Sequence, residues 1–210
     1  MNYELIAIGT SWGGLSALSR LLADLPAELE QPVVVAQHRA PDSPEGGLGY
    51  LLSSHTTRVV RDAVDKDVLE PFHVYLAPPD YHLLVEPGRL ALSTDEFVRF
   101  ARPSIDVLFE TAADAYGERT IGIVLTGANE DGADGLARIK QRGGVAIVQD
   151  PASSERRRMP EAAIAATEAD AVLRIDEIGL FLYGLCCAAP QPPVREDPRV
   201  EGVQGTSRRP

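Results

Sequence analysis

The sequence predicts an α/β fold, with a doubly wound, mostly parallel sheet, helices on both faces and one inserted antiparallel hairpin. Short, continuously apolar segments such as residues 32–37 are typical of strands that are covered on both faces. Leucines at helical spacing over residues 15–25 follow the first of these segments. The same alternation of apolar strand and helix returns after residue 120, and it favours a parallel sheet.

In the first half of the chain, residues 4–9 are expected to form a strand that ends in a glycine-rich turn. The helix over residues 15–25 comes next, and residues 32–37 form the second predicted strand. Two prolines and two glycines within residues 41–47 predict a loop. Residues 74–77 are predicted to be a further strand.

A hairpin is expected to interrupt the alternation. Residues 82–92 have the pattern of two short strands, and Glu-Pro-Gly-Arg at residues 86–89 supplies the turn. Ser104 is a candidate N-cap, because its hydroxyl oxygen can accept a hydrogen bond from a first-turn amide. The remaining predicted elements are a strand at 120–125, a helix at about 131–142 that ends at two glycines, a strand at 145–149, a short helix with Pro160 in its first turn, a strand at 171–174 and a helix at 178–187.

Length and composition set the domain organisation. The 210 residues, of which 44% are hydrophobic and 24% charged, can bury the core of one domain, which we place at residues 1–188. Residues 189–210 are rich in Pro, Gly, Arg and Glu and are predicted to be a disordered tail. No apolar run reaches the roughly 18 residues of a membrane helix, and a basic leader is missing. We therefore expect a cytoplasmic protein without membrane insertion.

Charge and cysteine content exclude several function classes. The formal net charge of −11 argues against a nucleic-acid partner, because phosphate binding needs clustered Lys and Arg. Local basic groups such as Arg39 and residues 156–158 are expected to assist an encounter with a substrate. Cys186 and Cys187 are adjacent, which suits neither a disulfide framework nor a zinc site. The sequence predicts no metal and no cofactor.

Residues 9–14, Gly-Thr-Ser-Trp-Gly-Gly, give the sharpest local signal and lie between the first predicted strand and helix. A dinucleotide fingerprint requires glycine where Ser11 stands, and a phosphate loop requires Lys and a hydroxyl where Leu15 and Ser16 stand. The pattern G-x-S-x-G remains. It presents a serine hydroxyl on a sharp strand-to-helix bend, and we expect its two glycines to leave room for a substrate. A tight turn with a serine N-cap is the structural alternative.

Residues that can activate a serine follow two other predicted strands. His38 comes directly after the second strand, and Glu130 and Asp131 follow the strand at residues 120–125. The carboxyl ends of parallel strands meet at one edge of a sheet, so these groups are expected to converge on Ser11. An imidazole can take the hydroxyl proton, and a carboxylate can orient the imidazole. Spacing alone leaves Glu130 and Asp131 as competing carboxylates.

A series of further motifs extends the pattern along the chain. They are GTSWGG at residues 9–14, QH at 37–38, YLAPP at 75–79 with His82, RPSID at 102–106, LTGANEDGA at 125–133, QD at 149–150 and MP at 159–160. As an ordered set over residues 4–187, they are similar to the catalytic domain of CheB-type protein-glutamate methylesterases. The resemblance implies that Ser11 is the nucleophile, His38 the general base and acid, and Asp131 the orienting carboxylate.

The resemblance also implies a pocket and a substrate. Trp12, the backbone amide of Ala128, and Met159 fall on positions of the oxyanion and substrate pocket, whereas a small residue, methionine and glycine are frequent at positions 12, 128 and 129 of the family. His82 and Met159 are expected to have packing roles. Members of the family hydrolyse γ-glutamyl methyl esters on chemotaxis receptors, and many also deamidate receptor glutamines. The expected partner is therefore a methyl-accepting chemotaxis receptor or a similar methylated protein.

Domain context and function class leave alternatives open. A receiver domain usually precedes the CheB catalytic domain, and Ser11 lies eleven residues from the start of this sequence. We therefore expect a catalytic domain that stands alone or belongs to a longer protein. A catalytically silent interaction module with the same fold is the first alternative function. A nucleotide or phosphate binder built on the same turn is the second.

Overall fold

The computed structural model describes residues 3–187, so the predicted tail lies outside the described residues. The strands are β1 (Leu5–Thr10), β2 (Val33–Gln37), β3 (Val59–Asp62), β4 (His73–Leu76), β5 (His82–Glu86), β6 (Arg89–Ser93), β7 (Thr120–Val124), β8 (Val145–Gln149) and β9 (Ala171–Leu173). Seven of them form a parallel sheet in the order β3-β4-β2-β1-β7-β8-β9, and β5 and β6 form a separate antiparallel hairpin. The predicted fold class and the inserted hairpin are confirmed.

Helices cover both faces of the sheet. They are α1 (Gly14–Asp24), α2 (Gly47–Ser53), α3 (Ile105–Tyr116), α4 (Ala133–Gln141), α5 (Arg158–Ala166) and α6 (Ile175–Cys186). One apolar cluster joins the sheet to α1, α2 and α6, and the other joins it to α3, α4, α5 and the hairpin. The result is a three-layer arrangement with a core on each side of the sheet.

The central strand β1 is apolar from Leu5 to Gly9 because it lies between two helical layers. All six residues are buried. Successive side chains of a strand point to opposite faces, and here Leu5 and Ala7 pack toward α3 while Ile6 and Ile8 pack toward α1. A strand between two helical layers has no face open to water, and its one polar side chain, Thr10, is buried with its hydroxyl donating to the carbonyl of Thr126 at 2.8 Å.

The carboxyl edge of the sheet has a topological switch point between β1 and β7. The strands β2, β4 and β3 lie on one side of β1, and β7, β8 and β9 lie on the other. Loops leaving adjacent strands diverge at such a point and open a crevice, which is where ligands bind in this class of fold. The loops that follow β1, β2 and β7 carry Ser11, His38 and Asp131.

Two elements lie where the sequence predicted a loop or no regular structure. Gly46 precedes α2 as its N-cap with a positive φ of 69°, and Gly49 of this helix packs on the backbone of β3. The strand β3 is a four-residue edge strand that pairs only with β4, and its Val59 is exposed. A short, glycine-rich helix and a half-exposed edge strand both lack the apolar periodicity on which sequence-based prediction depends.

The start of the last helix also differs, because α6 begins at Ile175 rather than at residue 178. Helix α5 begins at Arg158, so Pro160 lies in its first turn as predicted. Within residues 3–187, no helix combines the length and the apolar character that crossing a bilayer requires.

Candidate active site

Ser11 lies in the tight turn between β1 and α1. Its amide donates a hydrogen bond to the carbonyl of Thr126 at 3.0 Å, and its carbonyl accepts from the Gly14 amide at 2.9 Å and from Gln37 Nε2 at 2.8 Å. The turn is therefore fixed to the ends of β2 and β7 as well as to α1. The side chain of Ser11 is half-buried, and within the described part of the chain its hydroxyl makes no hydrogen bond.

The glycines of the G-x-S-x-G pattern serve packing and backbone geometry, which differs from the expectation that they leave room for a substrate. A Cβ at Gly9 would collide with Ile105, so this glycine lets β1 approach α3. Gly13 precedes α1 with φ of 81°, a conformation that glycine adopts at little cost. The sharp bend at Ser11 thus depends on Gly13, and the close packing beneath it depends on Gly9.

His38 directly follows β2, and its amide donates to the carbonyl of Thr10 at 3.1 Å, which places the imidazole beside the turn of Ser11. The Nε2 atom of His38 lies 2.7 Å from Oδ2 of Asp131. Glu130 is exposed and forms an ion pair with Arg158 instead. The geometry therefore selects Asp131 over Glu130 as the partner of His38.

Asp131 is fully buried at the N-terminus of α3. Besides His38, it accepts hydrogen bonds from Ser104 Oγ at 2.9 Å, from the Ile105 amide at 2.7 Å and from the Asp106 amide at 3.0 Å. Burial raises the pKa of Asp131, but the hydrogen bonds from His38 and the two amides outweigh it and hold that pKa below its usual value. Asp131 is therefore ionised at neutral pH, which keeps a proton on Nε2 of His38 and leaves Nδ1 without one.

Comparisons with known proteins decide the family. The family model for the CheB methylesterase matches residues 6–182. This chain belongs to the CheB methylesterase family. The crystal structure of the CheB methylesterase catalytic domain of Thermotoga maritima is similar, with a TM-score of 0.82 and 31% sequence identity over 88% of this chain and 100% of that chain. The resemblance predicted from the motifs is confirmed.

Curated relatives in the CheB family differ in length. A protein of Leptospira interrogans, provisionally named protein-glutamate methylesterase/protein-glutamine glutaminase, is 45% identical over 87% of this chain and 95% of its own length. The protein-glutamate methylesterase FrzG of Myxococcus xanthus is 40% identical over 86% of this chain and 54% of its own length. The chain thus covers nearly all of the first relative and about half of the second.

The three pocket positions implied by the CheB resemblance lie at different depths. Trp12 is more than half exposed, its indole Nε1 donates to Glu155 at 2.9 Å, and the Arg156 guanidinium lies 5.0 Å from the ring centroid. Ala128 is exposed in the loop after β7, and its amide donates no hydrogen bond to any described residue. Met159 is buried against this loop, where a Cβ on the glycine directly before Ala128 would collide with its sulfur. Trp12 and Ala128 therefore lie at the surface of the site and Met159 beneath it.

Asn129 contacts the imidazole of His38, although sequence reasoning gave it no role. Its Nδ2 lies 3.4 Å from Nδ1 of His38, and its Oδ1 accepts from the Asp131 amide at 3.3 Å. An amide nitrogen can only donate, so the contact suits an Nδ1 that carries no proton, which is the tautomer inferred from Asp131. Nothing in the local sequence could have indicated this contact, because it joins the loops of two different strands.

Asp106 is a second residue that the sequence analysis did not assign to the site. Its Oδ1 accepts from the amides of Gly132 and Gly135 at 2.9 and 2.8 Å, and its Oδ2 accepts from Arg99 Nε at 2.9 Å. Burial and the nearby charge of Asp131 raise the pKa of Asp106 to about 6, against the opposing effect of the amides. An acidic residue in the first turn after the predicted Ser104 N-cap was the signal that could have identified it.

His82 has a supporting position in this arrangement. It is buried, its Nδ1 accepts from the Ser104 amide at 3.1 Å, and its Nε2 donates to the carbonyl of Glu96 at 3.0 Å. Both ring nitrogens are therefore bonded to backbone, which fits the expected packing role. His82 fixes Ser104, and Ser104 in turn donates to Asp131.

A cleft of about 410 Å³ opens beside His38. Its lining includes Arg39, Arg99 and Arg102 and no acidic side chain, although the whole chain carries a net charge of −11. The expectation that Arg39 is a free encounter group is wrong, because its side chain is nine-tenths buried and pairs with Asp62 at 2.7 Å. The larger cavity of about 560 Å³ lies at the other end of α1 and contains none of the predicted site residues. Among residues 3–187, no cluster of His, Cys, Asp and Glu side chains is arranged to hold a metal ion.

Proposed function

We propose that the protein is a serine hydrolase that cleaves glutamate γ-methyl esters on chemotaxis receptors or similar methylated proteins. Ser11 is its nucleophile, His38 its general base and acid, and Asp131 its orienting carboxylate. One observation carries the assignment, the 2.7 Å contact of His38 Nε2 with a buried, ionised Asp131 beside the turn of Ser11. The names of the relatives, which include methylesterase and glutaminase activities, support the choice of substrate.

The first step is attack of Ser11 Oγ on the ester carbonyl carbon. The Ser11 hydroxyl replaces Asn129 Nδ2 as the donor to Nδ1 of His38, Nδ1 takes the hydroxyl proton, and the imidazolium that forms is stabilised by Asp131 at Nε2. Three donors from the start of α3 already hold the carboxylate, so no reorganisation is needed as the positive charge develops.

Collapse of the tetrahedral intermediate completes the first half of the reaction. The amide of Ala128 and the N-terminus of α1 are suited to stabilise the oxyanion, because both present positive charge at the loop surface. The imidazolium gives its proton to the leaving methoxide, and methanol departs from an acyl-enzyme. A water molecule, deprotonated by His38, then releases glutamate and free Ser11. A glutamine side chain would follow the same steps with ammonia as the leaving group.

A cytoplasmic location is part of the proposal. The thiols of Cys186 and Cys187 are free, as is usual in a reducing compartment. Burial raises the pKa of the Cys186 thiol to about 11, so this group stays protonated and unreactive.

The test is methanol release from a helical peptide that carries one γ-methyl glutamate. Ser11→Ala is expected to lower turnover by at least about 10³-fold, because the nucleophile and base act as one unit. Ser16→Ala is the matched control. It removes the same hydroxyl group five residues away, at an exposed position of α1. An active Ser11→Ala variant would overturn the assignment. Inactive wild type would favour the silent module, and a melting temperature raised by nucleotide would favour the nucleotide binder.

A further inference from the structure

Exposed aromatic side chains are concentrated next to Ser11 and at the cleft beside His38. Four aromatic side chains of the described residues are more than half exposed, and three of these are Trp12, Phe97 and Phe100. Phe97 and Phe100 line the cleft that contains His38, and Trp12 directly follows Ser11. The exposure of Phe100 is 101%, so this ring has no packing partner within the described residues. Single exposed apolar residues are common, but a group of them at a reaction site indicates a binding surface.

Phe100 lies at the tip of a two-residue turn. Backbone hydrogen bonds join Val98 and Ala101 in both directions, at 3.2 and 2.9 Å. The two residues between them, Arg99 and Phe100, have φ values of 49° and 61°. Residues other than Gly, Asn and Asp rarely adopt this left-handed backbone conformation, and it is costly for a bulky aromatic residue. Such strain persists where the surroundings impose it, and it is found most often at functional sites.

Contacts behind the turn hold it in place. Arg99 forms ion pairs with Asp106 and Asp134, which belong to the first turns of α3 and α4. The guanidinium of Arg102 lies 4.6 Å from the ring centroid of Phe97. The turn is therefore anchored to the same two helix ends that position Asp131, while its aromatic tip projects into solvent. This arrangement presents Phe100 to whatever enters the cleft.

We propose that Phe97 and Phe100 form a docking surface for the substrate polypeptide, where they bind an apolar side chain that lies beside the reacting glutamyl ester. The inference rests on the proposed function. The occupant is the substrate because Phe97, Phe100 and the imidazole of His38 line one cleft. A chain bound in this cleft beside His38 therefore lies against the docking surface. The cleft has no acidic lining that would repel the glutamate product. On a helical substrate, the apolar side chain lies three or four positions from the ester, since these positions share one face.

The test compares Phe100→Ala with Tyr50→Ala. Tyr50 is 81% exposed on α2 and does not line the cleft, so it controls for loss of an exposed aromatic ring. The substrate is a helical peptide with one γ-methyl glutamate and a leucine four positions away, and p-nitrophenyl acetate serves as a small ester. Phe100→Ala is expected to lower kcat/KM for the peptide about tenfold, through KM, and to leave turnover of the small ester unchanged. Tyr50→Ala is expected to change neither.

Binding gives a readout that does not depend on turnover. The same peptide is labelled with a fluorophore, and its affinity is measured for proteins that carry Ser11→Ala. Adding Phe100→Ala is expected to weaken binding by a similar factor. Replacing the peptide leucine by serine is expected to have the same effect. Equal affinity of both proteins for the leucine peptide would overturn the docking surface. So would equal losses on the peptide and on the small ester. A wild type that binds the peptide through Phe100 but hydrolyses neither ester would overturn the proposed reaction and leave the docking surface supported.

Discussion

The two ring nitrogens of His38 face different partners, and this difference assigns their roles. Nε2 faces the ionised carboxylate of Asp131, and Nδ1 faces the side-chain amide of Asn129. Because Asp131 accepts three further hydrogen bonds, its oxygens cannot turn away from the ring without leaving donors of α3 unpaired. The tautomer that leaves Nδ1 basic is therefore built into the resting site.

Asp131→Asn tests this assignment at the level of one atom. The substituted amide cannot hold the same tautomer by charge, so we expect ester turnover to fall by roughly 10³ to 10⁴-fold, as when a comparable carboxylate is lost from a serine protease. Glu130→Gln is the matched control, because Glu130 is exposed and pairs with Arg158. The measurement is kcat for the methylated peptide, with circular dichroism as a check on folding. A larger loss in Glu130→Gln than in Asp131→Asn would contradict the assignment.

Sequence reasoning predicted the residues of the candidate site but not their supporting contacts. Ser11, His38 and a pair of carboxylates could be predicted, because parallel strands bring their carboxyl ends to one edge. Spacing could not choose between Glu130 and Asp131, since the choice depends on the start of α3, a segment about 26 positions earlier in the chain. The contact of Asn129 with His38 and the burial of Arg39 are likewise set by tertiary packing.

At the scale of elements, the N-terminal ends of α3 and α4 each bind a carboxylate that the other end provides, an arrangement called here the carboxylate exchange. Asp131 precedes α4 and accepts from amides of α3, whereas Asp106 belongs to α3 and accepts from the amides of Gly132 and Gly135 at the start of α4. Each carboxylate satisfies donors that the partner helix cannot satisfy itself, and each lies at the positive end of a helix dipole. The exchange fixes the position of Asp131 relative to both helices.

This exchange predicts a pH dependence of stability. The pKa of Asp106 is raised to about 6 from a usual value of 3.8, so the folded state binds this proton more tightly than the unfolded state does. The stabilisation from the proton is complete below pH 3.8 and is lost as the pH rises through 6. We therefore expect Asp106→Asn, which cannot titrate, to remove this loss of unfolding free energy between about pH 4 and pH 6.

Urea denaturation of both proteins at intervals across that range measures the effect. The lowered pKa of Asp131 acts in the opposite sense, because its contribution is lost only as the pH falls below 3.8. Parallel stability profiles of wild type and Asp106→Asn between pH 4 and pH 6 would show that Asp106 does not titrate there.

Elements with strong periodicity were predictable, and those without it were not. The strands β1, β2, β7 and β8 are apolar except for one polar residue at an end of each, because helices cover both of their faces, and each was predicted within a residue or two. The short helix α2 follows a left-handed glycine and buries only two residues, so no amphipathic pattern marks it. The edge strand β3 has a neighbour on one side alone, and its half-exposed residues resemble a loop.

At the scale of the whole molecule, the net charge acts on a substrate over a longer range than the arginines of the cleft. The chain carries a net charge of −11, whereas the arginines that line the cleft are each paired with a carboxylate outside the lining. Charges separated by more than a Debye length are screened at moderate salt, so the net charge acts mainly at low ionic strength. Long-range repulsion of an acidic substrate and short-range apolar docking are therefore separable by salt.

We expect kcat/KM for an acidic methylated peptide to rise several-fold between 20 and 200 mM NaCl, because screening relieves repulsion by the net charge. Hydrolysis of neutral p-nitrophenyl acetate is expected to stay constant over the same range. The measurement is initial rate at low substrate concentration. A fall in kcat/KM with salt would mean that the arginines of the cleft, rather than the net charge, control the encounter.

The central claim is that the fold turns one serine into a nucleophile. It is tested most directly by reacting the full chain with a fluorophosphonate and locating the adduct by peptide mass spectrometry, since this reagent modifies only serines that a base activates. We predict a single adduct on Ser11 in the wild type and none in His38→Ala, with Ser16 unmodified in both proteins. Labelling of Ser11 at the same rate without His38, or an adduct on another serine, would contradict the account.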